Sequence, residues 1–113
     1  MGQLHYGYGC DPLEIPDRVL AHLRVVATTK LRRQESFPLT FISPEEQAGS
    51  GRTTLWMHAA IPLRFEFECA EPAVIERDFL QQLGEEANSA NGIVIDGRIE
   101  APIEMKTRKA VAA

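Results

Sequence analysis

Little in this chain commits it to metal, redox or cofactor chemistry. Two cysteines and three histidines occur in 113 residues, and none falls at metal-ligand spacing. Cys10 and Cys69 have no Cys-x-x-Cys partner and no histidine pair nearby, so no structural zinc is expected. In a reducing compartment both read as free thiols packed like small apolar side chains. No apolar run approaches the ~20 residues of a membrane-spanning helix. The segment Met1-Gly2-Gln3-Leu4-His5 lacks the basic and apolar regions of a secretory signal. Gly2 opens only a partial myristoylation pattern, without its Ser or Thr. The expectation is a cytoplasmic protein with no membrane partner. No glycine-rich loop runs into Gly-Lys-Ser/Thr, so no nucleotide loop is predicted, and no cofactor is expected.

An excess of positive charge is missing as well. The net charge is −4, but it is unevenly spread. Residues 1–52 balance six basic groups against six acidic ones, whereas residues 53–105 carry three against ten. Lys106, Arg108 and Lys109 then give the end a positive sign. Domains that cover duplex DNA are usually strongly basic, so any nucleic-acid contact here would have to come from a local patch.

What is present is an ordinary globular composition, 44% apolar and 25% charged, at a length that suits one core. Leu4 to Tyr8 and Leu13-Glu14-Ile15 alternate in polarity about the turn residues Gly9-Cys10-Asp11-Pro12, which predicts a hairpin. The period then changes. Val19, Leu20, Leu23, Val26, Ala27 and Leu31 recur at helical steps. Pro16 and Asp17 suit the start of this helix, and Lys30, Arg32 and Arg33 suit its negative end. Strands are predicted at Phe37–Ile42, Thr53–His58 and Leu63–Glu68, with an exposed loop over Ser43–Gly51. Pro72 opens a second helix with an apolar stripe of Ile75, Phe79, Leu80, Leu83 and Ala87, closed by Asn88 to Gly92. Ile93-Val94-Ile95 is a buried strand, and Arg98 to Ile103 an edge that pairs back.

The expected fold is therefore α+β: a two-layer sandwich of an antiparallel sheet with two helices on one face, in the order β-β-α-β-β-β-α-β. Residues 1–104 form its single domain and 105–113 a flexible tail.

Two surfaces stand out as candidate sites. If Leu55, Met57, Leu63, Phe65 and Phe67 point inward, then Trp56, His58 and Arg64 lie on an open sheet face. An exposed aromatic beside a cation can anchor a partner protein or stack a base. The alternative for Trp56 is a core position. A second patch, Arg32 and Arg33 with Arg52 in a flexible Gly-Ser-Gly context, suits an anion; its plainer reading is a helix end followed by a solvated loop. For catalysis the pattern offers no residue set. The adjacent acids Glu45-Glu46 and Glu85-Glu86 diverge, and His5, His22 and His58 face no nucleophile at a telling spacing.

The stretches Asp17 to Leu23, Lys30 to Phe37, Gly51-Arg52-Thr53-Thr54-Leu55-Trp56-Met57-His58, Ile61 to Phe65 and Ala87-Asn88-Ser89 before Gly92 resemble a family of small actinobacterial proteins of unassigned function. Some of its members are labelled ATP-dependent DNA ligase, and the resemblance implies a DNA-related association. Ligases of that kind attack ATP through the lysine of Lys-x-Asp-Gly-x-Arg. The nearest string here is Val94-Ile95-Asp96-Gly97-Arg98, with a valine in place of the amine and the arginine one position early. A methyl group is no nucleophile, so ligase activity is not expected of this chain.

The resulting expectation is a non-catalytic binding or accessory module that self-associates through an open sheet face. Its alternatives are a nucleic-acid-binding accessory protein related to DNA ligation or repair, and a small enzyme of unknown reaction.

Overall fold

The structure, a computed structural model, describes residues 1–43 and 51–97. The loop expected over Ser43–Gly51 lies mostly outside these residues, as do the edge expected from Arg98 to Ile103 and the expected tail.

The α+β class and the order of elements are as the periodicity predicts. They are β1 (Gly2–Tyr6), β2 (Leu13–Ile15), α1 (Asp17–Arg32), β3 (Phe37–Ile42), β4 (Arg52–Met57), β5 (Leu63–Glu66), α2 (Arg77–Ala87) and β6 (Ile93–Asp96). The single antiparallel sheet is corrected to two. One runs β2-β1-β5 and the other β4-β3-β6. In the second, β3 pairs antiparallel with β4 but parallel with β6. The parallel pair arises because α2 carries the chain back across the sheet before β6, as a crossover must.

Alternation decides what each strand buries. Phe37, Leu39 and Phe41 turn inward with Met57, Ile93 and Ile95, and Leu4 and Ile15 do the same from the first sheet. The α1 stripe of Val19, Leu20, Leu23, Val26 and Ala27 joins them in one core with Leu83 and Ala87 of α2. Fully burying such an aliphatic side chain contributes about 1.5–3 kcal/mol.

Helix ends depart from the sequence reading in instructive ways. Asp17 does not cap α1. Its two carboxylate oxygens accept the N–H groups of Glu68 and Cys69, each at 3.1 Å, tying the end of β5 to the start of α1. Helix α2 starts at Arg77 rather than near Pro72. A first turn from Pro72 would need the Glu76 N–H to reach back to Pro72, and His22 Nε2 accepts that N–H instead, at 2.8 Å. At the far end of α1, Gln34 has a left-handed φ of 62°. Glu35 N–H donates to Lys30 O (2.9 Å) and Gln34 N–H to Leu31 O (3.0 Å), the double closure that usually employs glycine at Gln34's position. Gly92 meets a true steric need. Its φ is +72°, and an added Cβ would lie 2.1 Å from Pro38 O. Cys10 and Cys69 are both exposed, not packed as small apolar groups.

Candidate binding surfaces

Register sorts the outward side chains of the β4-β3-β6 sheet into rows. Trp56 lies beside Pro38, and Thr54 beside Thr40, which is beside Val94. Arg52 lies beside Ile42, which is beside Asp96. Trp56 is 57% exposed and Val94 46% exposed. Between them Thr40 and Thr54 join their hydroxyls at 2.8 Å, one donating to the other. Among the described residues this face therefore presents an indole and a proline ring at one end, two threonines and a valine across its middle, and charge at the Arg52–Asp96 end. Trp56 is not a core residue.

The outward face of the β2-β1-β5 sheet differs in kind. Gln3, His5, Glu14, Arg64 and Glu66 occupy it. Glu66 accepts from His5 Nε2 at 2.8 Å and from Arg64 at 3.3 Å. The His5 hydrogen bond, with the Arg64 charge behind it, holds the Glu66 carboxyl below its usual range.

The expected trio of Trp56, His58 and Arg64 does not share one face. Trp56 and Arg64 belong to different sheets, because the break at residues 58–62 moves β5 to pair with β1. His58 sits in that break. Its Nδ1 accepts the Ala60 N–H at 3.0 Å and its carbonyl accepts the Ile61 N–H at 3.1 Å, so it shapes the turn. The anion trio is divided as well. Arg32 and Arg33 lie at the end of α1, where the chain enters β3 at Phe37, whereas Arg52 pairs with Ile42 at the other end of β3. Five strand residues at about 3.4 Å each put roughly 17 Å between those ends. Lys30 is engaged elsewhere, donating to Asn88 Oδ1 at 2.6 Å and pairing with Glu35 at 3.0 Å.

The sequence places no nucleophile near His22, and the structure makes it a joint. It is fully buried, lies 2.7 Å from the Arg18 carbonyl through Nδ1, and receives the Glu76 N–H at Nε2. One neutral tautomer satisfies both, with Nδ1–H donating. Arg18 grips the Glu76 carboxylate at 2.6 and 3.1 Å and lies 4.6 Å over the Phe79 ring, which itself tilts against His22 at 4.7 Å. Burial, and then the neighbouring Arg18 charge, lower the His22 pKa. The signal was in the sequence: His22 falls in phase with Val19 and Val26 on the buried stripe of α1.

Among the described residues no group of three or more His, Cys, Asp or Glu side chains could hold a metal ion. No helix there is long and apolar enough to cross a membrane. The ligase-like string ends β6, where Val94 is part of the open face and Gly97 N–H donates to Ile42 O at 2.7 Å.

Fold and surfaces together define a small α+β domain with one charged and one apolar open sheet face. The chain belongs to the family described as Domain of unknown function (DUF7882), whose model matches residues 1–98. No curated protein and no solved structure matches it.

Proposed function

We propose that this domain is a non-catalytic binding module that self-associates through the outward face of the β4-β3-β6 sheet. The observation that carries the reading is Trp56, 57% exposed beside Pro38 on a face whose centre, among the described residues, bears no charge. Large aromatics with rigid backing are the residues that anchor interfaces. Magnitude limits the reading. Three strands at about 4.8 Å spacing and roughly 17 Å length give about 250 Å² of flat sheet, below the ~800 Å² per partner of a standard interface. The association is accordingly weak. Sedimentation of the chain at rising concentration tests this: a dimer forms at high concentration and is lost in Trp56→Ala, whose folding is unchanged. A monomer throughout, or a dimer indifferent to Trp56→Ala, would refute the reading.

A second reading, an accessory protein that binds single-stranded nucleic acid, is supported by one observation. Arg52 and Trp56 point from the same side of β4, four residues or about 13 Å apart, which suits one base stack and one phosphate. It agrees with the DNA-related label carried by some members of the actinobacterial family that the sequence resembles, while Val94 removes the ligase nucleophile. Its mark is salt dependence, because phosphate contacts release counterions. An oligonucleotide affinity that falls with salt, and falls less steeply in Arg52→Ala, supports it; no binding at low salt removes it. Either reading is that of a cytoplasmic protein.

A further inference from the structure

Among the described residues, the β2-β1-β5 sheet ends in an unused strand edge. Gly7 N–H donates to Pro62 O at 2.8 Å, and the register continues through Tyr6 with Leu63 and Leu4 with Phe65. In an antiparallel ladder the bonded pairs alternate, so Pro62, Arg64 and Glu66 direct their backbone groups to β1. Leu63 and Phe65 direct theirs away from it. No backbone hydrogen bond among the described residues takes up these N–H and C=O groups.

The same edge overlooks a groove of about 280 Å³, with Leu63 and Phe65 on one wall and Ala27 and Leu31 of α1 on the other. Thr28 and Arg32 stand at its helical rim. Residues four apart share a helix face, which puts Arg24 in the same row as Thr28 and Arg32. Both arginines are exposed, and neither is in an ion pair among the described residues.

We propose that this groove binds an extended, acidic peptide segment, which adds to the sheet as a strand alongside β5. The parts match that mode of recognition: free main-chain groups for affinity, an apolar trough for alternate side chains, and a cationic rim for carboxylates. A small apolar molecule would leave the strand edge unused. A second copy paired edge to edge would set two such arginine rows against each other, at a cost in like-charge repulsion. The surface is separate from the one around Trp56, and the proposal does not rest on self-association.

The test uses the full chain and two fluorescein-labelled peptides of β5's length, one alternating valine and glutamate, the other valine and lysine. The acidic peptide should bind at least about tenfold more tightly, a difference of about 1.4 kcal/mol. Saturation should slow hydrogen exchange at the Leu63 and Phe65 amides and leave that of Arg64, already bonded to β1, as it was. Arg24→Glu with Arg32→Glu should abolish the preference without unfolding these exposed positions. Trp56→Ala, on the other sheet, should leave the affinity for the acidic peptide as it was, whether or not it dissolves a dimer. Failure of the acidic peptide to bind, equal binding of both peptides, binding without protection of those two amides, or loss of binding in Trp56→Ala would each overturn the proposal. So would protection that arises on concentrating the protein alone, which would make a second copy the occupant.

Discussion

The two sheets of this domain turn opposite kinds of surface outward. On the β2-β1-β5 side, Gln3, His5, Glu14, Arg64 and Glu66 form a polar face in which Glu66 accepts from both His5 and Arg64. On the β4-β3-β6 side, Trp56, Pro38 and Val94 surround two threonines bonded to each other. Both sheets bury apolar residues on their inner faces, so the core explains neither exterior. A charged, alternating exterior is what solubility asks of a half-buried strand. An exposed indole beside a proline ring, with an exposed valine on the same face, works against solubility. The contrast is what supports the proposal that the second face is held open for contact.

The sharpest way to break this comparison is through the strand at the centre of the apolar face. Leu39→Ala, on the inner side of β3, should cost about 2–5 kcal/mol by leaving a cavity. Val94→Ala, on the outer side of β6, should stay within about 0.5 kcal/mol. Urea titrations of the two variants measure both. A large loss in Val94→Ala would mean that the outer face is already packed.

Next in size is the joint between α1 and the start of α2. His22 is buried neutral, with its folded pKa below that of an exposed histidine. As pH falls the unfolded chain therefore takes the proton first, so His22's contribution is complete above about pH 6.5 and lost as pH drops toward the folded value. The charges that face it are Arg18 and Glu76. His22→Gln, which keeps one donor and one acceptor, should flatten the fall in melting temperature between about pH 7.5 and pH 5. An unchanged profile would show that His22 does not carry that dependence.

Smaller again is Gln34→Gly, which relieves a left-handed side-chain residue at the end of α1. It should raise stability by about 0.5–1 kcal/mol, the αL cost less the added chain entropy. On the charged face, Glu66→Gln should leave the melting temperature unchanged at high salt, since an exposed pair is screened. A drop there would show that face to be structural as well.

Much of this was readable in the sequence. Period-two and period-3.6 patterns located all eight elements of the described residues, whereas the alternation about Leu55 and Met57 left Trp56 open to an outward or a core position, and its exposure decides for the first. Pairing was not readable. Periodicity tells which side of a strand is buried and not which strand lies beside it, so β5 was assigned to Trp56's sheet although it pairs with β1, some sixty residues earlier. That one step joined Trp56 to Arg64 and made a single face of two. The start of α2 was missed for a related reason. Pro72 is a valid opening signal, but the decisive hydrogen bond comes from His22, 54 residues away. The free edge of β5 was likewise invisible until its neighbour was known.

The central claim is that Trp56 is an open contact residue, and the chain's single tryptophan makes it directly measurable. Its fluorescence emission should be recorded from about 1 μM to about 1 mM protein, a range that spans weak association, with a neutral quencher at each concentration. The account predicts a red-shifted, readily quenched indole in dilute solution that shifts to the blue and becomes protected as concentration rises. Emission that is blue and protected even in the most dilute sample, or red and quenchable even in the most concentrated, would contradict it.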